Sequence, residues 1–311
     1  MKIDNISALL YGLVRNDREK TETAFACCIA DEKEGRVKTR LKYILDEYHR
    51  RQGMEVVEKL MPGVRNLVSA PYRDCSFDDL FLSDDIKSDT ENILSEWASA
   101  DYLIENGLMP TNKILLEGPP GNGKTSYAIA LAKRLGLSIL CTSSSLMLDS
   151  YLGKSEQNVN VLFRNLPEKC VLFFDEFESM ASTRGRVGED GGGAGRAWNS
   201  IVTSFLVNME TIKPSIILLA ATNRSELLDK AIVRRFDMRI GFDNPTEEEK
   251  RVYVDKYIEK YGLGRDSVLT NKVGKKVDKA VSYSALEKVM KKRHKEILLE
   301  KLLKDKGQSL F

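Results

Sequence analysis

The most constraining feature of this chain is one octapeptide, Gly118-Pro119-Pro120-Gly121-Asn122-Gly123-Lys124-Thr125, which fits G-x-x-x-x-G-K-[ST]. An apolar run, Ile114 to Leu116, leads into it and an amphipathic segment, Ser126 to Leu135, leads out, so the pattern demands a strand, a tight loop and a helix. Glycine is needed because backbone N–H groups must curl around phosphate oxygens with no Cβ in the way, helped by the positive end of the helix. Pro120, Gly121, Asn122, Gly123, Lys124, Thr125 and Ser126 are therefore the candidate nucleotide contacts. Lys124 is expected to bridge the β- and γ-phosphates of ATP, and the Thr125 hydroxyl to reach Mg²⁺. Further apolar runs, Leu137 to Cys141, Cys170 to Phe174 and Ile216 to Ala221, alternate with amphipathic helices. That alternation predicts an α/β fold around a buried parallel sheet.

A second signal is Val171-Leu172-Phe173-Phe174-Asp175-Glu176. Four apolar residues predict a buried strand, with two acids at its carboxyl edge, where open α/β sheets bind ligands. Asp175 is expected to hold Mg²⁺ through water, and Glu176 to polarise the attacking water as general base. The competing structural reading is that the two carboxylates cap a helix starting at Phe177. Together the two motifs predict Mg²⁺-dependent hydrolysis of ATP to ADP and phosphate.

Composition removes other classes. Among 311 residues, 48 basic and 46 acidic side chains give a formal net charge of +2, so no global field draws the chain to nucleic acid or an anionic membrane. No apolar stretch approaches the roughly 18 residues of a membrane helix, and Asp4 sits where a secretory signal carries positive charge. Cys27, Cys28, Cys75, Cys141 and Cys170 show no C-x-x-C spacing and read as reduced thiols, so a cytoplasmic protein is expected. With only His49 and His294 and no H-E-x-x-H, zinc peptidase chemistry is excluded.

Three parts follow from the patterning: an N-terminal helical domain over 1–66, a large domain over 67–244, and a helical part over 245–311 that opens on a Thr246/Glu249 capping box. The glycine-rich patch Gly185 to Gly195 reads as a mobile loop.

Over about residues 72 to 300 the sequence resembles the AAA family of AAA+ ATPases. Ile217-Leu218-Leu219-Ala220-Ala221-Thr222-Asn223 is similar to the family's sensor strand, which implies that Asn223 positions the lytic water. Leu228-Asp229-Lys230-Ala231-Ile232-Val233-Arg234-Arg235-Phe236-Asp237 resembles its second region of homology, which implies that Arg234 and Arg235 reach a neighbouring subunit's γ-phosphate. Many relatives separate these arginines by two residues; here they are adjacent, which leaves open which one makes the contact. Phe77 to Leu82, with Phe81 as the candidate contact, resembles the segment that packs on adenine. Ser282-Tyr283-Ser284-Ala285-Leu286 stands where relatives often carry Ser-Gly-Ala-Asp-Leu, so the family's contacts there do not transfer. Tyr151-Leu152-Gly153 resembles the pore loop that grips an extended polypeptide, an aromatic ring giving sequence-tolerant contact and the glycine letting the loop swing.

The resemblance implies a P-loop AAA+ large domain with a C-terminal helical lid, assembled as a ring, a hexamer, acting on polypeptide. The helices around Leu9 to Val14, Phe25 to Glu34 and Leu41 to Glu47 resemble the N-terminal region of small bacterial AAA ATPases paired with a subtilisin-like serine protease in anti-phage defence. Alternatives are a remodeller of a HORMA-type signalling partner and a nucleotide-gated switch with little turnover. A DNA loader is disfavoured by the near-neutral charge and the Tyr151 loop.

Overall fold

The computed structural model describes residues 3–15, 18–32, 36–71, 75–147, 152–181 and 193–305. The chain divides into two compact units, Met1–Asp74 and Cys75–Phe311.

The first unit is helical: α1 (Ile3–Arg15), α2 (Arg18–Asp31), α3 (Arg36–Lys59) and α4 (Pro62–Arg65). The helix expected from Phe25 starts earlier, at Arg18, and Pro62 opens a short helix, since a first-turn proline lacks an N–H that would go unused anyway. α1 and α2 approach closely at Gly12, where a Cβ would lie 2.7 Å from Thr21 Oγ1 and 2.9 Å from its backbone nitrogen. Asn5 Nδ2 also donates to Asp31 Oδ2 at 2.7 Å. Leu10, Tyr11 and Val14 of α1 are exposed.

In the second unit, helices α5 (Asp84–Ala98) and α6 (Ala100–Glu105) precede strand β1 (Lys113–Glu117). There follow α7 (Lys124–Arg134), β2 (Ile139–Ser143), α8 (Ser144–Met147), α9 (Leu152–Arg164), β3 (Cys170–Asp175), α10 (Glu178–Ala181), α11 (Gly193–Glu210), β4 (Ile216–Thr222), α12 (Lys230–Val233) and β5 (Met238–Gly241). Helices α13 (Glu247–Lys260), α14 (Arg265–Val268), α15 (Asn271–Asp278) and α16 (Tyr283–Asp305) complete it.

The strands pair in parallel in the order β2-β3-β4-β1-β5. β3 is buried from Cys170 to Phe174 and β4 throughout, as runs covered on both faces must be. β2 begins two residues later than its apolar run suggested, because Leu137 closes the turn after α7 by donating its N–H to Ala132. β5 has no counterpart among the expected strands; it has four residues, of which Ile240 alone is buried.

The sheet core includes Ile114, Leu116, Leu131, Phe173, Leu219 and Phe242. A separate core, built on Val254, Tyr257, Val273, Val277, Leu286 and Met290, holds α13 to α16 together. Thr246 and Glu249 cap α13 reciprocally, as expected, the threonine hydroxyl accepting from the Glu249 N–H at 3.2 Å and the Glu249 carboxylate from the Thr246 N–H at 2.8 Å. No described helix is long and apolar enough to cross a membrane.

Candidate active site

β1 lies between β4 and β5 while the chain leaves it for β2 at the far edge, which makes its carboxyl end the switch point of the sheet. The glycine loop stands there. Gly118, Gly121 and Gly123 have φ of 135°, 84° and 97°, conformations that side-chain-bearing residues rarely adopt. A Cβ on Gly118 would also lie 2.3 Å from the Phe242 carbonyl oxygen. Lys124 opens α7 and is buried; its ammonium donates to the carbonyls of Gly118 and of Pro119, the latter at 2.9 Å. Burial pulls its pKa below the ordinary lysine value, with Asp175 and Glu178 acting in the other direction.

β3 lies two strands from β1, about 10 Å away at the usual spacing, yet Thr125 Oγ1 reaches across to donate to Asp175 Oδ2 at 3.1 Å. The other carboxylate oxygen accepts the Glu176 N–H at 3.0 Å. No group of three or more His, Cys, Asp or Glu among the described residues could hold a metal. A hydroxyl and one carboxylate, both hard oxygen donors, suit Mg²⁺, which keeps several waters and takes further ligands from phosphate.

Glu176 has φ 50°, uniquely among the described residues other than glycine. This left-handed residue turns the chain over the end of β4, so that the Phe177 N–H donates to the Ala221 carbonyl at 2.9 Å. The Phe177 ring is then buried against Phe174, Phe205 and Phe236, at centroid distances of 5.8, 5.0 and 6.0 Å. The Glu176 side chain is left exposed at the sheet end. The helix that follows starts at Glu178, not at Phe177; the Glu176 carbonyl accepts the Ser179 N–H at 3.0 Å, but neither carboxylate makes a capping bond to that helix among the described residues.

Asn223 follows β4, half-buried, and its N–H donates at 3.4 Å to Glu178 Oε1. The second Glu178 oxygen is buried without a partner among the described residues. Sequence reasoning stopped at the Asp175-Glu176 pair and missed Glu178. Its alternation with Glu176 was the available signal.

The arginine string lies elsewhere. Asp237 accepts the N–H groups of Asn112 and Lys113 at 3.2 and 3.0 Å, which pins it to the amino end of β1. Arg234 and Arg235 are therefore about 15 Å, one strand length, from the phosphate loop of their own chain. Arg235 pairs with Glu210 of α11, whereas exposed Arg234 has no acidic partner among the described residues.

Phe77, Leu80 and Leu82 pack on the sheet core, while Phe81 turns to the C-terminal helices. Its ring meets Tyr283 at 5.1 Å and Tyr253 at 6.1 Å, with Lys256 Nζ 5.1 Å above it. Tyr151 and residues 185–192 of the glycine-rich patch lie outside the described residues. Leu152 and Gly153, expected in a loop, form the first turn of α9, and Gly193 to Gly195 begin α11. α9 is drawn to this length by contact with α11, where the Asn160 Oδ1 accepts from Ser204 Oγ and Asn208 Nδ2 at 2.8 Å each.

Residues 114–244 match the family model described as ATPase family associated with various cellular activities (AAA). An uncharacterised AAA family ATPase of Sinorhizobium fredii, y4kL, is 38% identical over 154 residues, covering 49% of this chain and 45% of that protein. The peroxisomal ATPase PEX6 of Saccharomyces cerevisiae is 32% identical over 183 residues, 58% of this chain and 18% of its own length. Among solved structures, that of the FIGL-1 AAA domain is 25% identical, covers 67% of this chain and 65% of that one, and has a TM-score of 0.48. The chain thus spans less than half the length of these two curated relatives. The parallel five-stranded α/β module with its phosphate loop after β1 has the fold of an AAA+ P-loop domain.

Proposed function

We propose that this chain is an AAA-family ATPase that hydrolyses ATP with Mg²⁺ in a ring, a hexamer, and spends the energy on remodelling a polypeptide. The observation that carries the reading is the convergence at one sheet end of the phosphate loop, the Thr125–Asp175 pair at 3.1 Å and the exposed Glu176 carboxylate. The backbone N–H groups of Pro120-flanked Gly121 to Ser126 would receive the phosphate oxygens, and Lys124 would exchange its two carbonyl acceptors for phosphate. Magnesium held by Thr125 and Asp175 would neutralise charge on the phosphates. Glu176 takes the proton of the attacking water and Asn223 orients that water. Phe81 offers an apolar face to the purine.

The distance of Arg234 and Arg235 from their own loop supports a role in a neighbouring site. There a planar, permanently charged fork meets the charge developing on the γ-phosphoryl group. Arg234, without an acidic partner among the described residues, is the better finger, with Arg235 tied to Glu210 as its brace. Tyr151, Leu152 and Gly153 serve as the polypeptide grip.

The parts 1–66, 67–244 and 245–311 act as partner-binding helices, ATPase core and lid. The exposed Leu10, Tyr11 and Val14 of α1 support a docking role, and the N-terminal resemblance points to a separate subtilisin-like protease in anti-phage defence, or to a HORMA-type partner, as its object. Co-purification of that partner with the full chain, and not with a chain starting near Leu67, is the expected result. Equal recovery would move the surface onto the ATPase core.

Glu176→Gln keeps size and polarity but removes the base, so turnover should fall by about 10² to 10⁴ while ATP still binds. Lys124→Ala should lose binding instead. Hydrolysis by Glu176→Gln at the parental rate would overturn the assignment.

A further inference from the structure

Asn122 occupies a position that the phosphate-loop pattern leaves free, yet the residue is 4% exposed and its amide makes three hydrogen bonds. Nδ2 donates to the Phe242 carbonyl at 3.2 Å and to Asn244 Oδ1 at 3.0 Å, and Oδ1 accepts the Tyr283 N–H at 3.3 Å. Phe242 and Asn244 belong to the link between β5 and α13; Tyr283 is the first residue of α16. One amide thus ties the phosphate loop to the segment that leads into the C-terminal helices and to the start of α16.

The neighbouring contacts agree. The Ser284 N–H donates to the Gly121 carbonyl at 2.9 Å, and a Cβ on Gly121 would lie 3.1 Å from Ser282 Oγ. The sheet and the C-terminal helices have separate apolar cores, so the two bodies can change angle without either core being repacked. Tyr283, whose backbone Asn122 holds, also carries the ring that rests on Phe81.

We infer that Asn122 is a positioning residue whose side chain clamps the C-terminal helices over the phosphate loop, so that loop occupancy and lid angle are coupled. The inference rests on the nucleotide-site reading for its ligand, while the clamp itself is visible without one. Coupling of this kind is reciprocal: the factor by which lid closure tightens the nucleotide is the factor by which the nucleotide favours the closed lid.

The test uses the full chain with a pair of distance labels at exposed Arg251 of α13 and Glu91 of α5, attached without cysteine chemistry so that native thiols are undisturbed. Asn122→Ala should broaden the nucleotide-free distance distribution and weaken ADP binding by about tenfold, within the usual range of coupling. Asn122→Asp keeps an acceptor for Tyr283 but no donor for the link, and should release the link alone, giving an intermediate distribution. Asn244→Ala, outside the loop at an exposed position, should have a smaller effect that vanishes in the Asn122→Ala background. Parental distributions in both Asn122 variants, or strictly additive effects in the double variant, would overturn the clamp. Should the parental chain bind neither ADP nor ATP, the nucleotide reading fails, and the clamp is then judged on the nucleotide-free distances.

Discussion

Glu176 is held in a backbone conformation that costs a side-chain-bearing residue about 1 kcal/mol, and its side chain makes no hydrogen bond among the described residues. Nothing in packing rewards it, which is the pattern of a residue kept for chemistry. Glu176→Gly relieves that cost while adding about 0.5–1 kcal/mol of unfolded-state entropy, so the melting temperature should hold or rise while turnover collapses. A clear loss of stability, measured by calorimetry, would show that the side chain has a structural task.

The neighbouring residues differ in how readable they are. Lys124, Thr125 and Asp175 could be found from sequence because the phosphate loop and the apolar strand are local patterns that carry their own context. The side chain of Asn122 could not, since its partners lie 120 to 161 residues away and only the fold brings them together. The same holds for Arg234 and Arg235. Their expected role came from the resemblance alone, and their difference depends on Glu210, which comes from another element.

Among the elements, the sheet was the most legible and the C-terminal helices the least. Four of the strands are continuous apolar runs, whereas β5 buries one side chain and spends Arg239 on an ion pair with Glu117 at 2.7 Å. No periodicity survives over so short a piece. Phe77 to Leu82 was readable from its resemblance to an adenine-packing segment, but not its division, in which three side chains face the sheet and Phe81 the C-terminal helices.

That division is reinforced by Lys260 of α13, which donates to Asp79 at 3.0 Å. Burial works against ionisation of Asp79, but the hydrogen bonds from Lys260 and Ser76 outweigh it and hold the carboxyl below the ordinary 3.8. The Lys260 ammonium is correspondingly raised. Because the folded-state carboxyl pKa is depressed, the stabilisation is present above 3.8 and is lost as pH falls through the depressed value. Both partners are about half exposed, so Asp79→Asn should cost about 0.2–1 kcal/mol at pH 7 and nothing in acid below the depressed pKa. Thermal unfolding of the two proteins at both pH values reads this directly, and an undiminished difference in acid would assign the effect to something other than the ion pair.

At the scale of the whole molecule, the proposed site is incomplete within one chain. Everything at the carboxyl end of the sheet gathers around the phosphate loop, while the arginine pair stands at the amino end of β1, too far to serve it. A second copy that set its arginine face against this loop would complete the site and make turnover depend on assembly. The central claim is therefore that hydrolysis occurs between subunits. Two proteins, Lys124→Ala, which lacks a working phosphate loop, and Arg234→Ala, which lacks the finger, should each be nearly inactive alone. Mixed, they form interfaces that pair an intact loop with an intact arginine, and ATP turnover should reappear, since such a finger is worth about 10³ to 10⁵ in rate. No recovery at any mixing ratio, with assembly of the mixture verified by sedimentation, would contradict the account.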